Sequence, residues 1–288
     1  MKKIAIIALL MVCGLYAYAQ KMRVQEEENI KKSLSFEQND DRLLILKNIS
    51  GSIDIEGYDG NTVELEARQL LKGKDQNALQ IAKDEVQLIT RVEGDIILIY
   101  PKDPNVIAEL RGRRLHINTY HVDPDYHSHY DFKLRVPRNI SLDISTVNDG
   151  NVTVRNVEGK DIQLHNVNGD VTAKQISGLT EANTVNGEIE VSYTQKPTAD
   201  AEFHTINGDI NVICPANLNA DVRFKSMNGD LYTNYEDVQT KPGIEQASSE
   251  RGDKKMYRLD KSTVLQINKG GPLLDFNVLN GNVYVKKY

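Results

Sequence analysis

The sequence predicts an all-β protein, a parallel β-solenoid with two strands and about 20 residues per coil, preceded by an N-terminal β region that carries one short helix. The first observation is a repeated pattern, in which an aliphatic residue precedes Asn, Gly, a polar residue and another aliphatic residue. The segments are ISTVNDGNVTV, LHNVNGDVTA, ANTVNGEIEV, FHTINGDINV, FKSMNGDLYT and FNVLNGNVYV. A fixed period in this range marks stacked units, so each segment is expected to contribute one coil.

The second observation is the spacing of the aliphatic residue that precedes Asn. The aligned residues are Val147, Val167, Val185, Ile206, Met227 and Leu279, at spacings of 20, 18, 21, 21 and then 52 residues. The intervals contain a second turn, such as NVEGKDIQL or QISGLTEAN. Two strands and two turns fit one coil, whose strands pair in parallel with those of the next coil about 4.8 Å away. An antiparallel meander or sandwich is the alternative, because its strands are also short and evenly spaced.

The third observation is the residue pattern around each corner. Apolar residues expected to fill the core stand three positions before the aligned aliphatic residue, at Ile144, Leu164, Ala182, Phe203, Phe224 and Phe276. Others follow the turn, at Val152, Val171, Ile189, Ile210, Leu231 and Val283. Asn-Gly tolerates positive φ at both positions and therefore allows a sharp corner. The Asn side chains are expected to form a ladder, in which each amide bonds to the next.

Residues 1–19 are predicted to be a signal peptide, because two lysines precede a short apolar run that ends in Ala17-Tyr18-Ala19, a small-x-small cleavage pattern. The run is too short to span a bilayer comfortably as a helix. Lipid attachment at Cys13 is the alternative, although Val12 stands where that processing uses a small residue. Residues 20–40 are predicted to be a polar linker.

Residues 41–130 are predicted to form the N-terminal β region, since short β-rich runs such as SIDIEG and DIILIYP are bounded by Gly, Asn and Asp. One helix is predicted near 75–87, with Asp75 as its N-cap. Its apolar face is expected to contain Ala78, Ile81, Ala82 and Val86. Residues 131–288 are predicted to form the solenoid. After the polar excursion VQTKPGIEQASSERGDKK, the last copy is expected to close the stack as its cap.

Charge and cysteine content narrow the possible functions. Without the two lysines of the signal peptide, 33 basic residues remain against 41 acidic ones, a formal net charge of −8. An acidic exported protein is poorly suited to binding nucleic acid, because phosphate attraction needs clustered positive charge. Only Cys214 remains after cleavage, so no internal disulfide is expected, and its apolar surroundings predict a buried side chain.

The repeated N-G-[DEN]-aliphatic pattern, the lead-in RVPRNISLDISTVNDGNVTV and the terminal GGPLLDFNVLNGNVYVKK resemble the putative-adhesin family of exported bacterial β-strand-repeat proteins, whose function is largely unknown. The resemblance covers roughly residues 40–288. It implies a solenoid-like fold in the cell envelope and no enzyme activity, so it transfers no catalytic residues.

The segment RGRRLHINTYHVDPDYHSHYD contains most of the candidate site residues. On an extended strand, His127 and His129 would share one face and, with His121, could hold zinc or copper. The aromatic residues are candidates for surface contacts: Tyr120, Tyr126 and Tyr130. The alternative is an exposed polar loop that joins the two halves, with no site.

A second candidate is the acidic row that follows Asn-Gly, comprising Asp170, Glu188, Asp209 and Asp230. In a solenoid it would form a column that calcium could bridge, but the chain lacks the nine-residue period of the usual calcium-binding repeat, so a solvated edge with a role in the turns is the favoured interpretation. A third candidate, Arg251-Gly252-Asp253, is a tripeptide that can engage cell-surface receptors, but it is short enough to occur by chance. No nucleophile elbow, phosphate loop or dinucleotide fingerprint is present in the sequence, and no cofactor is expected.

These observations predict a cell-envelope protein without catalytic activity that acts as an adhesin or binding scaffold. Its partner would be an envelope or extracellular protein or a glycan, and its location the periplasm, the outer-membrane surface or the extracellular space. The alternative is a structural or stress-responsive component that assembles with itself or with cell-wall material.

Overall fold

The computed structural model describes residues 24–38, 41–119, 125–242, 247–251, 254–258 and 263–288. The predicted signal peptide, with Cys13, lies outside the described residues. Up to residue 119 the strands are β1 (Val24–Ser35), β2 (Leu43–Lys47), β3 (Ile53–Tyr58), β4 (Thr62–Gly73), β5 (Gln87–Glu93), β6 (Ile96–Lys102), β7 (Val106–Arg111) and β8 (Arg114–Thr119). The helix α1 (Gln76–Glu85) lies between β4 and β5.

The repeat pattern corresponds to the later strands. They are β9 (Tyr126–Pro137), β10 (Ser141–Ser145), β11 (Val152–Arg155), β12 (Glu158–His165), β13 (Val171–Asn183), β14 (Ile189–Tyr193), β15 (Ala201–Asn207), β16 (Ile210–Cys214), β17 (Ala220–Asn228) and β18 (Leu231–Thr233). They continue with β19 (Val238–Pro242), β20 (Ala247–Arg251), β21 (Lys254–Arg258), β22 (Thr263–Ile267), β23 (Leu273–Asn280) and β24 (Val283–Lys287).

The strands build two facing walls. Wall A runs in the order β1, β4, β9, β3, β11, the first half of β13, β14, β16, β24, β18. Wall B runs β5, β6, β2, β10, β12, the second half of β13, β15, β23, β17, β22, β19. Equivalent strands of the repeats pair in parallel, which confirms the two-strand solenoid.

Within the described residues the parallel stack has seven coils. In spatial order they are β2–β3, β10–β11, β12–β13, β13–β14, β15–β16, β23–β24 and β17–β18. The coil β2–β3 lies within residues 41–130, so parallel stacking extends into the region that the sequence assigns to a separate N-terminal unit. Its corner, NISGSI, carries Ser50 in place of Asn, and therefore does not match the repeat pattern.

The predicted core residues stack between the walls. Those of wall B follow the order Leu46, Ile144, Leu164, Ala182, Phe203, Phe276 and Phe224. All are buried except Phe224, which is half-buried in the last coil of the stack. The rings of Phe203 and Phe276 stack with their centroids 4.8 Å apart. Close packing of this kind is the main source of stability in a chain whose one described cysteine, Cys214, is free and buried.

The position of the last repeat corrects one expectation. The strands β23 and β24 lie between the coils β15–β16 and β17–β18 rather than at the end of the stack. On wall B, the antiparallel strands β22 and β19 lie beyond β17 and cover that end. The inserted strands therefore have a partner on both edges, which a terminal position could not provide.

The Asn ladder is confirmed along the first corner. Side-chain amides connect Asn148, Asn168, Asn186, Asn207, Asn280 and Asn228 in this order, over 2.8–3.0 Å. None of these Asn residues has positive φ, whereas Gly169, Gly208, Gly229 and Gly281 do, so the expected geometry is found at the glycine and is wrong at the Asn. The glycine is also needed because coils approach closely: a Cβ at Gly208 would lie 2.0 Å from the carbonyl oxygen of Gly187.

The helix α1 packs on β4 and β9, and Asp75 caps it by accepting a hydrogen bond of 2.9 Å from the backbone N–H of Ala78. Its buried face contains Leu79 rather than the predicted Ile81, which is 39 % exposed.

A second, smaller core lies outside wall B, where the hairpin β7–β8 covers β2 and β6. Burial on both faces explains why these two strands are continuous apolar runs. Within the described part of the chain, no helix has the length and apolarity needed to cross a membrane.

Replacing Tyr193 by Phe is expected to leave the free energy of unfolding unchanged or to raise it by up to about 1 kcal/mol. The Tyr193 hydroxyl is buried and has no hydrogen-bond partner in the described part of the chain. The matched control is Tyr235→Phe, since the Tyr235 hydroxyl donates to the carbonyl oxygen of Pro215 over 2.8 Å. This control should lose about 1 kcal/mol in urea denaturation. Equal losses for both variants would contradict the assignment.

Candidate functional site

Strand β9 carries most of the residues that the sequence singles out. Its side chains alternate, so that Tyr126 and Tyr130 point into the core while His127, His129 and Asp131 lie on the outer face of wall A. The two tyrosines are 6 % and 1 % exposed, which rules them out as surface contacts. Their rings are buried because β9 packs its inner face against the solenoid interior. Tyr120 lies outside the described residues.

His129 lies in a chain of polar contacts on this outer face. The Ser50 Oγ is 3.0 Å from His129 Nδ1, and His129 Nε2 is 3.2 Å from Asp131 Oδ1. Arg68 donates to Asp131 over 3.3 Å and binds Glu27 through two hydrogen bonds of 2.8 Å. The contacts join the corner of the first coil to three strands, β9, β4 and β1.

Serine, histidine and aspartate in this order resemble the relay of hydrolases. The backbone N–H of Gly51, however, donates to a carbonyl of the neighbouring coil over 2.9 Å, and that of Ser52 donates to Asp131 over 3.0 Å. These two donors next to Ser50 are therefore not free to stabilise an oxyanion. The Ser50 hydroxyl also contacts Asp149 Oδ2 over 3.2 Å. The geometry is that of a cross-strand polar network.

The carboxyl group of Asp131 is held ionised by this network. Burial raises its pKa, but the hydrogen bond from the backbone of Ser52 and the nearby His129 and Arg68 outweigh burial, so the pKa lies below its usual value. A permanent negative charge at this point anchors Arg68 and His129. The network thus fixes the positions of the side chains at one end of the neighbouring groove.

A groove of about 650 Å³ lies next to this network on the outer face of wall A. It is formed by β1, β4, β9, β3 and β11. The charged residues that line it are Lys31, Lys32, Lys133, Arg135, Arg155, Asp54, Glu56, Glu64 and Glu66. Five cations and four carboxylates therefore share a small surface, within a chain that is acidic as a whole.

Most of the groove charges are paired across strands. The pairs are Lys31 with Glu66 at 3.0 Å, Arg135 with Glu64 at 2.9 Å and Arg155 with Asp54 at 2.6 Å. Lys133 makes no ion pair within the described residues. Lys32 lies on the other side of β1, opposite the buried Leu65, and donates to the hydroxyl of Thr90 on β5 over 2.9 Å. The ammonium group of Lys133 is consequently the one available to an anionic ligand on this face.

The predicted metal site is not assembled among the described residues. His127 and His129 share one face as expected, but no group of three or more metal-binding side chains occurs in the part of the chain that the structure describes. His121 lies outside the described residues, so the set of His121, His127 and His129 stays a prediction. Gly252 and Asp253 of the tripeptide also lie outside them.

The acidic row has a structural role in the corners. Asp170 Oδ1 accepts the backbone N–H of Glu188 in the next coil over 2.9 Å, and Asp209 Oδ1 accepts that of Asn282 over 2.8 Å. The inserted coil places Asn282 between Asp209 and Asp230. The role in the turns that the sequence predicts is therefore observed.

Three members of the site are not visible in the sequence pattern. Ser50, Arg68 and Lys133 are far apart in the chain, and only the antiparallel and parallel pairings of β9 bring them together. The corner NISGSI is the one usable signal for Ser50, because Gly51 follows it as glycine follows Asn in the other corners.

Comparison with known proteins supports the resemblance. Residues 138–263 match the family model described as Toastrack DUF4097, which confirms the similarity to the putative-adhesin family. No curated protein is similar in sequence to the chain.

Solved structures with a similar chain path have low sequence identity and low TM-scores. One is a putative cell adhesion protein from Clostridium sporogenes ATCC 15579, with 8 % identity, a TM-score of 0.38, and coverage of 91 % of this chain and 100 % of that one. Another is a putative lipid binding protein from Parabacteroides distasonis ATCC 8503, with 13 % identity, a TM-score of 0.30, and coverage of 92 % and 96 %. A third is a putative adhesin from Bacteroides fragilis NCTC 9343, with 9 % identity, a TM-score of 0.34, and coverage of 91 % and 97 %.

Proposed function

We propose that the protein is an exported cell-envelope scaffold without catalytic activity, and that its groove on the outer face of wall A binds an extended anionic polymer. The ligand would be an envelope glycan that carries carboxylate or phosphate groups. The observation that carries the proposal is Lys133, which lines the groove without an ion-pair partner among the described residues.

The paired charges support this assignment, because they reduce the repulsion that an anion would otherwise meet. The carboxylates of Asp54, Glu64 and Glu66 are each neutralised by a neighbouring cation within 3.0 Å. The remaining carboxylate, Glu56, accepts a hydrogen bond from the side chain of Asn156. Lys133 is therefore the lining cation on this face that has no ion-pair partner among the described residues.

The rigidity of the wall also favours a binding role. The groove lies on five strands joined by continuous backbone pairing, and its side chains are held by ion pairs rather than by a mobile loop. A preorganised surface loses little conformational entropy when a ligand binds. The predicted signal peptide and the family match are consistent with export, and the occupied donors beside Ser50 are consistent with a role other than hydrolysis.

The substitution Lys133→Gln is expected to weaken binding of a soluble polyanion by about fivefold or more, because a charge-assisted contact is lost. Polygalacturonate and polyphosphate would serve as carboxylate and phosphate probes, with neutral dextran as the reference polymer. Binding to residues 20–288 can be followed by isothermal titration at two salt concentrations, and wild-type affinity should fall as salt rises.

The matched control is Lys102→Gln, which removes the same charge from an exposed lysine outside the groove. It should change affinity by less than about twofold. Equal weakening by both variants, or equal binding of neutral dextran and the two polyanions, would refute the assignment of the groove.

A further inference from the structure

A line of aliphatic side chains runs along the outside of the Asn-Gly corner. We name it the corner stripe; in spatial order it comprises Ile49, Val147, Val167, Val185, Ile206, Leu279 and Met227. Each residue precedes the corner Asn, or Ser50 in the first coil. Adjacent members are in register, since the backbone N–H of Asn168 donates to the carbonyl of Val147 over 2.9 Å and that of Asn186 to Val167 over 2.8 Å. Six steps of about 4.8 Å make the stripe roughly 29 Å long.

The corner stripe is partly open to solvent along its whole length. Ile49, Val147 and Leu279 are 37–38 % exposed and Met227 is 77 % exposed, while the other members are half-buried. By contrast, the position two residues earlier on the same outer face is polar throughout, at Lys47, Ser145, His165, Asn183, His204, Asn277 and Lys225. An apolar line this long on an otherwise polar face is typical of an interaction surface.

The fold itself does not require apolar residues at these positions. The residue before five of the seven stripe members is polar and buried; the exceptions are Ser226, which is half-buried, and the apolar Val278. Thr146, Thr184 and Thr205 donate to the glycine carbonyls of the preceding coil over 2.8, 2.8 and 3.1 Å. The inner polar residues thus hold the corner together, whereas the outer aliphatic residues have no equivalent contact to make.

Beside the stripe runs the acidic row of Asp170, Glu188, Asp209 and Asp230, none of which forms an ion pair within the described residues. Their charge is not needed for the corner. Asn151 and Asn282 occupy the same position in other coils and accept the same backbone hydrogen bonds, over 2.9 and 3.1 Å. A neutral amide therefore accepts the same hydrogen bond as a carboxylate at this position, and the negative charge of the carboxylate is available to a partner.

From these observations we propose that the corner stripe and its acidic row bind a cationic amphipathic polypeptide segment, with aliphatic residues on the stripe and Lys or Arg over the carboxylates. The surface is independent of the groove on wall A. Its charge disfavours an anionic membrane or a nucleic acid, because carboxylates without ion-pair partners lie along its length. An uncharged apolar ligand would leave those carboxylates without partners.

The test uses residues 20–288 and three synthetic peptides of 18 residues, composed of Leu and Lys, Leu and Glu, or Ser and Lys. The Leu/Lys peptide is expected to bind at least about tenfold more tightly than either of the other two, because only it supplies both the apolar and the cationic contacts. Fluorescence anisotropy of labelled peptides measures the affinities. Equal affinity for the Leu/Lys and Ser/Lys peptides would overturn the proposal.

Two double variants separate the contribution of the carboxylates to peptide binding from that of the aliphatic side chains. Asp170→Asn plus Asp209→Asn should weaken the Leu/Lys peptide by about tenfold and reduce its salt dependence, with unchanged circular dichroism and thermal midpoint. Val167→Thr plus Ile206→Thr should weaken it by a similar factor without changing the salt dependence. The charge-matched control, Glu28→Gln plus Glu158→Gln, removes two exposed acids elsewhere and should change affinity by less than about twofold.

Loss of affinity in the control as large as in Asp170→Asn plus Asp209→Asn would overturn the proposal, since binding would then follow net charge alone. Vesicles of phosphatidylcholine test whether a neutral lipid, rather than a polypeptide, binds the corner stripe. If they bind in a manner that depends on Val167 and Ile206 while the Leu/Lys peptide does not, the stripe is a lipid-binding surface and the polypeptide proposal is wrong.

Discussion

Replacement of Gly187 by alanine is expected to lower the free energy of unfolding by about 3 kcal/mol or more. A Cβ at this corner would lie 2.1 Å from the carbonyl oxygen of Gly169 and 2.5 Å from its carbonyl carbon. Neither atom can move away, because the backbone N–H of Gly169 donates to Asn186 and that of Gly187 donates to Asn207, each over 3.0 Å. The clash can be relieved only by separating two coils.

The control for Gly187→Ala is Gly112→Ala in the hairpin between β7 and β8. Gly112 has φ +61°, so alanine there is strained by roughly 1–2 kcal/mol, but no atom lies within 4 Å of the added Cβ. Gly187 is not among the glycines with positive φ in the left-handed range, so its substitution measures contact alone. Urea denaturation followed by circular dichroism compares the two. A smaller loss for Gly187→Ala than for Gly112→Ala would show that the coils are not closely stacked at this corner.

The corner illustrates which parts of the fold could be predicted. The Asn ladder and the core columns follow from the repeat itself, because equal positions in parallel coils must lie above one another. The reason for the glycine does not follow, since Asn-Gly is compatible with several corner geometries. The sequence predicts positive φ at both residues, whereas the structure has it only at the glycine, and in Gly187 not even there. What all these glycines share is that one backbone approaches the next too closely for a Cβ.

The sequence predicts only the part of the candidate site that lies on a single strand. The alternation in YHSHYD correctly places His127 and His129 on one face, but it does not say which face is buried. The tyrosines proved to be the inner residues. The cations of the groove could not be found from the sequence, because Lys31 and Lys133 belong to β1 and β9, which are joined through β4.

The order of the coils also could not be predicted from the repeat pattern. A period shows that the copies are equivalent, but equivalence does not decide which two copies become neighbours when a long excursion separates them. The fifth and sixth copies differ by 52 residues, and the returning chain has room to enter on either side of β17. It enters on the inner side, where β23 gains both β15 and β17 as partners.

This insertion leads to the second large effect: Phe276→Ala is expected to lower the free energy of unfolding by about 3–5 kcal/mol. Phe276 is fully buried, stacks on Phe203 at 4.8 Å and is in register with Phe224 on its other side. Truncation would leave a cavity that the closely packed walls cannot fill. The matched control is Phe224→Ala, at the same position in the terminal coil, where half-burial predicts a loss of about 1–2 kcal/mol.

A double-mutant cycle tests the order of the coils directly. Phe203 and Phe276 are expected to couple by about 0.5–3 kcal/mol, because their rings are in contact, whereas Phe203 and Phe224 should be additive within about 0.5 kcal/mol, since Phe276 lies between them. If the copies instead stacked in the order of the sequence, Phe203 would touch Phe224 and the coupling would move to that pair. Urea denaturation of the single and double alanine variants therefore decides whether the last repeat completes the interior of the solenoid or its end.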